Sequence, residues 1–121
     1  MYAASKFAVK GLTEALSVEL ARFGGRAADV LPALVDTPIL DATLDYSSGE
    51  RPGVAMRSTA TPDGAMRLVS PEEVAELVWQ AYGSDRLHWY IPEEMENVDR
   101  ARSGGAEIMR DAFKKSVLDS D

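Results

Sequence analysis

The sequence of 121 residues contains no cysteine and a single histidine, His88. The lack of cysteine excludes disulfides, thiol catalysis and cysteine–metal sites, and one histidine cannot form a histidine metal cluster, so we expect no metal site. Long hydrophobic runs are missing as well, because no apolar stretch approaches the roughly 18 residues that a membrane-spanning helix needs. No charged and then apolar leader follows Met1. We therefore expect a cytoplasmic protein without a membrane partner.

Basic residues are also fewer than acidic ones. Thirteen Lys and Arg residues stand against 20 Asp and Glu residues, which gives a formal net charge of −7. Nucleic acid and anionic membrane surfaces would be repelled by such a protein, so neither is expected as a partner. The hydrophobic fraction of 45% and the charged fraction of 27% are those of an ordinary globular protein, and the length allows one domain.

Residues 3–23 are predicted to form one long helix, because apolar residues recur at helical spacing and Gly24 and Gly25 follow as a stop signal. The apolar face comprises Val9, Leu12, Leu16, Leu20 and Phe23. A second face consists of small side chains that would let another helix approach closely: Ala4, Ala8, Gly11, Ala15 and Val18. Packing within the chain and a helix–helix contact between copies are both compatible with this spacing.

Two apolar runs are predicted to be strands. The run at residues 27–35 follows the helix and is typical of a strand buried on both faces of a parallel sheet, with Pro32 at the strand's end. The strands are placed near residues 28–32 and 87–91. Between them, the SPEE sequence that starts at Ser70 is a capping box, which predicts a helix that ends at Gly83. Its predicted buried face comprises Val74, Leu77, Val78 and Ala81.

The remaining segments carry weaker patterns. Residues 39–69 are rich in Gly, Pro and Ser, which is typical of a binding loop or lid, with a short helix near 39–44. A disordered insertion is the alternative. A charged tail begins at residue 93 and contains an amphipathic helix near 106–118. We therefore predict an incomplete domain over residues 1–92 and a helical tail over 93–121.

The alternation of helix and strand indicates an α/β fold. Two parallel strands are too few to be buried on both faces, so the sequence predicts the C-terminal half of a doubly wound, Rossmann-like parallel sheet.

The first residues carry the strongest chemical pattern. Tyr2 and Lys6 are four residues apart, which places them on one face of a helix. A phenol has a pKa near 10, and a neighbouring ammonium lowers that pKa because it favours the phenolate. Such a pair can donate and accept a proton near neutral pH. The bare Tyr-x-x-x-Lys spacing is also compatible with a solvated helix start.

The sequence around this pair, YAASKFAVKGLTEAL over residues 2–16, resembles the active-site helix of the short-chain dehydrogenase/reductase family. The resemblance continues in PALVDTP over residues 32–38, which is similar to the loop after the family's sixth strand. SPEEVA over residues 70–75 is similar to the start of its late helix. The similarity covers roughly the first 40 residues and residues 70–92.

The resemblance implies a role for four residues. Tyr2 corresponds to the catalytic tyrosine that exchanges a proton with a carbonyl or alcohol, and Lys6 to the lysine that lowers the tyrosine pKa and holds the nicotinamide ribose. Val35 and Thr37 correspond to positions that contact the nicotinamide end of NAD or NADP. Residues 39–69 correspond to the region that closes over an alcohol or ketone substrate, and helix 3–23 to one that often packs in a homo-oligomer.

The chain departs from the family pattern at two points. Ala33 stands where the family usually has glycine, whose freedom at positive φ helps the turn near the nicotinamide. The glycine-rich turn that holds the pyrophosphate is expected upstream of the tyrosine, together with the catalytic serine, and no such glycine pattern occurs in these 121 residues. We therefore expect a truncated oxidoreductase that is inactive alone, or alternatively a non-catalytic interaction module.

Three further candidates have structural interpretations. His88 lies within a predicted strand and is expected to be structural. Asp36 follows a strand end, where ligands bind in open α/β sheets, although capping of the loop is favoured. Glu93, Glu94 and Glu96 are typical of a solvated helix start.

Overall fold

The computed structural model describes residues 2–45 and 53–105, together with residues 107 and 115. Apart from those last two residues, the helix predicted at 106–118 lies outside the described part. The elements in chain order are α1 (Tyr2–Ala21), β1 (Asp29–Pro32), β2 (Leu34–Val35), α2 (Ile39–Ala42), β3 (Leu44–Asp45), β4 (Val54–Ala55), two 3₁₀ helices (Met56–Thr59 and Gly64–Met66), β5 (Leu68–Val69), α3 (Pro71–Tyr82), β6 (His88–Ile91) and α4 (Met95–Gly104).

Helix α1 ends where its two glycines predict. Gly24 has a φ of +70°, and its N–H donates to the Ala21 carbonyl at 3.1 Å. The Gly25 N–H donates to the Leu20 carbonyl at 3.0 Å. This pair of bonds is a Schellman motif, and it needs a left-handed residue that glycine adopts without a Cβ penalty. The predicted helix is confirmed, with its end two residues before Phe23.

Strands β1 and β6 form a parallel pair, as the two apolar runs predict. Asp29 is opposite His88, and Pro32 is opposite Ile91, so the strands are in register over four residues. Pro32 closes β1, since proline donates no ladder hydrogen bond. Helix α3 packs against both strands, and α1 and α4 contact β1 and β6 respectively. The mixed α/β arrangement with parallel strand pairs is consistent with part of a Rossmann-like sheet.

The apolar run at 27–35 is not one strand. After Pro32 the chain changes partner, and β2 pairs in parallel with β5, with Leu34 opposite Leu68 and Val35 opposite Val69. Leu34 and Val69 are buried in this pair, with Val69 fully buried. Two-residue strands carry too few positions for a periodic pattern, which explains why the sequence did not predict β5.

The segment 39–69 contains more structure than a simple loop. The short helix predicted near 39–44 is confirmed as α2. Beyond it, β3 and β4 form an antiparallel pair, with Leu44 opposite Ala55 and Asp45 opposite Val54.

Helix α3 begins with the predicted capping box. The Glu73 N–H donates to Ser70 Oγ at 3.1 Å, and the Ser70 N–H donates to Glu73 Oε2 at 2.8 Å. Ala81 is buried as expected. The prediction for Val78 is wrong, because 51% of this residue is exposed and it lies on the outer side of α3 with Trp79.

The apolar face of α1 stays largely open. Val9 is 50% exposed, Leu12 59%, and Phe23, two residues after the end of the helix, 78%. Among the described residues, the buried hydrophobic core consists of Leu34, Leu40, Val69 and Ala81. The core is therefore small, and α1 contributes no buried hydrophobic side chain to it. Within the described part, no helix is long and apolar enough to cross a membrane.

Candidate functional site

The residues of the predicted proton-transfer pair lie at the start of α1. Positions 2 and 6 are one turn apart on this helix, as the motif requires. The side chain of Tyr2 is outside the described part of the structure. Lys6 is exposed and lines a groove of about 370 Å³ that α1 forms with β1, β6 and α4.

The lining of the groove includes the carboxyl end of β1. Pro32 and Ala33 line it there together with Lys6, and most of its remaining walls are apolar, including Phe7 and Val98. Ligands of open α/β sheets bind outside the carboxyl ends of the strands, so this is the expected position for a cofactor site. No described residue other than glycine has a positive φ. Ala33 therefore replaces the family glycine without backbone strain.

Val35 and Thr37 lie just beyond this groove and do not line it. Val35 is half-buried in β2. The hydroxyl of Thr37 donates to the Val35 carbonyl at 3.4 Å, and the N–H of Asp36, between them, donates to the Val69 carbonyl at 2.8 Å. The structure thus brings Val35 and Thr37 together at the carboxyl end of β2 and places Lys6 at the neighbouring groove.

Arg57 is the main feature of this region that the sequence did not reveal. Its Nε and Nη2 atoms donate to the two carboxylate oxygens of Asp41 at 2.7 and 3.1 Å. Its Nη1 atom donates to Asp36, and Nη2 also donates to the Thr37 carbonyl at 3.1 Å. The hydrogen bonds from Arg57 hold the pKa of Asp41 below its ordinary value. Asp36, for which the sequence favours capping of the loop, pairs through its carboxylate with Arg57.

The single histidine connects three elements. His88 Nδ1 lies 2.9 Å from Asp29 Oδ1, and Nε2 lies 2.9 Å from Glu14 Oε1. These contacts tie β6 to β1 and to α1. The position supports the structural interpretation of this histidine.

A second polar cluster fastens α4 to the sheet and to α1. The hydroxyl of Tyr90 donates to Asp99 Oδ2 at 2.5 Å, and Lys10 pairs with the same oxygen. Burial disfavours the charged carboxylate, but hydrogen bonds from Lys10 and Tyr90 hold the pKa of Asp99 below its ordinary value. Burial also opposes the ammonium, yet the bonds to Asp99 and Tyr90 raise the pKa of Lys10. Burial and then Asp99 raise the pKa of Tyr90.

The remaining acidic candidates lie at the start of α4, as predicted. Glu94 is the residue before the helix, and Glu96 pairs with Arg86 at 3.1 Å and with Arg100 at 2.8 Å. In residues 2–45 and 53–105, no group of three acidic, histidine or cysteine side chains could hold a metal ion.

Comparison with known proteins agrees with the motif in α1. Residues 1–46 match the family model described as short chain dehydrogenase. Oxidoreductase UcpA of Escherichia coli K12 is 37% identical over 76 residues, which cover 63% of this chain and 29% of that protein. An uncharacterized NAD-dependent oxidoreductase of Mycobacterium tuberculosis, MT0715, is 33% identical over 82 residues, covering 66% of this chain and 30% of that protein.

A third relative is 1-deoxy-11-beta-hydroxypentalenate dehydrogenase of Streptomyces exfoliatus, 35% identical over 89 residues, covering 74% of this chain and 27% of that protein. No solved structure matches the chain. The chain spans about three tenths of the length of the curated relatives that it matches. All three relatives carry the names of oxidoreductases or dehydrogenases. The match over residues 1–46 and these relatives support the interpretation of the chain as a fragment of the short-chain dehydrogenase family.

Proposed function

We propose that this chain is the C-terminal portion of an NAD- or NADP-dependent oxidoreductase that interconverts an alcohol and a ketone. The observation that carries the proposal is the start of α1, where positions 2 and 6 are one turn apart and Lys6 lines a groove at the carboxyl end of β1. Residues 1–92 are then the incomplete catalytic domain, and residues 93–121 a helical tail. A cytoplasmic location is part of the same proposal.

Tyr2 is proposed as the proton donor and acceptor. In the reducing direction its hydroxyl proton passes to the substrate carbonyl oxygen, and in the oxidising direction the phenolate takes the alcohol proton back. Lys6, one turn further along α1, stabilises the phenolate electrostatically. The bound nicotinamide would supply or accept the hydride at the substrate carbon.

The described residues fit the nicotinamide end of such a cofactor. Lys6 would hold the ribose, and Val35 and Thr37 would contact the nicotinamide, because Val35 is the last residue of a parallel strand and Thr37 follows it. The φ of Ala33 is not positive, so alanine causes no backbone strain at the position where the nicotinamide would approach the chain.

The pyrophosphate of the cofactor has no corresponding motif in this sequence. The 121 residues contain no glycine-rich pattern that would seat it on a helix N-terminus. We propose that the isolated chain binds NADH and NADPH weakly and does not turn over substrate. Without the anchor, much of the orientation advantage, on the order of 7–11 kcal/mol in favourable cases, is forfeited.

Titration with reduced nicotinamide mononucleotide, NADH and NADPH tests this proposal. We expect chemical-shift changes at Lys6, Val35 and Thr37 with all three ligands, and similar affinities, since only the nicotinamide end finds contacts. The Lys6→Gln variant should lose the response, and Arg22→Gln, which changes an exposed cation just after the end of α1, should keep it. Micromolar NADH binding by a folded monomer would contradict the proposal, and so would shifts centred on α3.

The exposed side of α1 supports a second candidate function. Val9, Leu12 and Phe23 are each at least half exposed, and such a patch favours association. An interaction module would use this side to bind a partner, and the proposed oxidoreductase would use the same helix in a homo-oligomer. Sedimentation measures the association that both candidates share. The titration with reduced nicotinamide mononucleotide separates them, since an interaction module associates without any chemical-shift change at Val35 and Thr37.

A further inference from the structure

Arg57 contacts residues that lie well before it in the sequence. It lies in the 3₁₀ helix Met56–Thr59, and its acceptors Asp36 and Asp41 precede it by 21 and 16 residues. Both oxygens of Asp41 accept from the guanidinium, so this contact is bidentate. A planar guanidinium bound in this way fixes orientation as well as distance.

The elements held by Arg57 form one unit, which we name the flap: α2, β3, β4 and the 3₁₀ helix Met56–Thr59. Strands β3 and β4 pair within it, and the Met56 N–H donates to the Thr43 carbonyl at 2.8 Å. The Leu40 N–H donates to the Thr37 carbonyl at 3.1 Å. That carbonyl therefore accepts from α2 and from Arg57 together.

The positive charge of Arg57 is more than neutralised by its two acidic neighbours. Two carboxylates surround one guanidinium, and the hydrogen bonds to Asp41 and Asp36 raise the pKa of Arg57. The side chain keeps a third of its surface exposed. Because its donors are already engaged by two acids and a carbonyl, Arg57 is suited to holding the backbone in place and not to binding an anionic ligand.

We propose that Arg57 is a positioning residue that holds the flap against residues 36–37 and thereby fixes Thr37 for its contact with the nicotinamide. This proposal rests on the proposed function for the role of Thr37. Arg57 itself touches no cofactor and acts through Asp36, Asp41 and the Thr37 carbonyl.

The variants Arg57→Gln and Arg57→Lys test the proposal in the 121-residue chain. The matched control is Arg67→Gln, because the Arg67 side chain is equally exposed and also pairs with a carboxylate, Glu73, at 3.0 Å. Amide hydrogen exchange is measured at Leu40, Thr43 and Met56, whose N–H groups donate to carbonyls at the flap. Titration with reduced nicotinamide mononucleotide is followed at the Thr37 amide.

We expect Arg57→Gln to speed exchange at these flap amides roughly tenfold while the amides of β1 and β6 keep their protection. Affinity for reduced nicotinamide mononucleotide should fall several-fold. Arg57→Lys should restore little of either property, because an ammonium cannot form the bidentate contact. Arg67→Gln should change neither.

Two results would overturn the proposal: unchanged exchange at the flap in Arg57→Gln, or faster exchange with unchanged affinity for the mononucleotide. If Arg57→Gln also loses protection in β1 and β6, the same exchange is measured in Arg57→Lys, which retains the charge. Fast exchange at the flap with protected β1 and β6 supports the proposal, and wild-type exchange at the flap overturns it. If the wild-type chain shows no mononucleotide response at Lys6, Val35 or Thr37, the proposed function fails. Faster flap exchange in Arg57→Gln would then still support the attachment of the flap by Arg57.

Discussion

Replacement of Asp99 by Asn is expected to loosen α4 from the rest of the protein. Asp99 accepts hydrogen bonds from Tyr90 of β6 and from Lys10 of α1. The side chains of Lys10 and Asp99 are only 18% and 19% exposed. The substitution removes the negative charge and leaves the Lys10 ammonium without its ionic partner.

The size of the effect follows from this partial burial. Hydrogen bonds to charged groups are worth about 1.5–3 kcal/mol each. The amide oxygen of Asn still accepts one of the two bonds, and the remaining exposure screens part of the charge. We therefore expect Asp99→Asn to lower the free energy of unfolding by about 2 kcal/mol. For a chain of this length, between the size classes of about 60–100 and about 150–250 residues, that loss lowers Tm by roughly 6–12 °C.

Thermal unfolding followed by circular dichroism measures this loss. The control is Asp85→Asn, because Asp85 pairs with Arg26 at 3.3 Å while its side chain is 93% exposed. Surface pairs of this kind contribute little, so the control should unfold with the wild-type Tm. Equal Tm values for Asp99→Asn and wild type would refute the reasoning, since they would mean that the cluster adds nothing to the attachment of α4.

Three further predictions concern stability. The lowered pKa of Asp99 contributes stability at pH values above its unfolded pKa, near 3.9, and this stability is lost as the pH falls through the folded pKa. The raised pKa values of Lys10 and Tyr90 contribute stability below a pH of about 10, and this stability is lost as the pH rises through the folded pKa values. Urea titrations across pH should show this acid limb weakened in Asp99→Asn, and an unchanged limb would count against the cluster. Ser70→Ala should cost about 1 kcal/mol in urea unfolding because it removes the cap of α3, whereas Ser58→Ala, outside any cap, should not. Gly24→Ala should also cost about 1 kcal/mol, since Gly24 has a φ of +70°; a Tm equal to that of wild type would contradict the Schellman motif.

Local patterns predicted a large part of the fold. The capping box at Ser70 and the glycine stop at Gly24 act through neighbours in the chain, so they are visible in the sequence. The apolar runs that became β1 and β6 are long enough to identify as strands.

The missed features depend on contacts between distant residues. Strand β5 has only two residues and exists because β2 pairs with it. The polar contact of Asp99 in helix α4 with Lys10 spans 89 residues. Val78 fits the helical period but lies on the outer side of α3.

The candidate site also contains residues that the sequence predicted and residues that it did not. The motif at Tyr2 and Lys6, and the positions of Val35 and Thr37, were available from the sequence through the family resemblance. The contacts of Arg57 with Asp36 and Asp41 were not, because no local spacing connects an arginine to acids 16 and 21 residues earlier.

The central claim is that Tyr2 transfers the proton in a carbonyl reduction. It is tested most directly in a chimera in which the part of oxidoreductase UcpA that precedes its matched segment is fused to residues 2–121. NADH and NADPH oxidation is measured with a panel of ketones for the chimera, for Tyr2→Phe and for Tyr82→Phe, an exposed tyrosine on α3. We expect an active chimera in which Tyr2→Phe lowers kcat by roughly 10²–10⁴-fold without loss of cofactor affinity, and Tyr82→Phe has no effect. Full kcat in Tyr2→Phe, or a folded chimera that binds NADH and reduces no ketone, would contradict the claim.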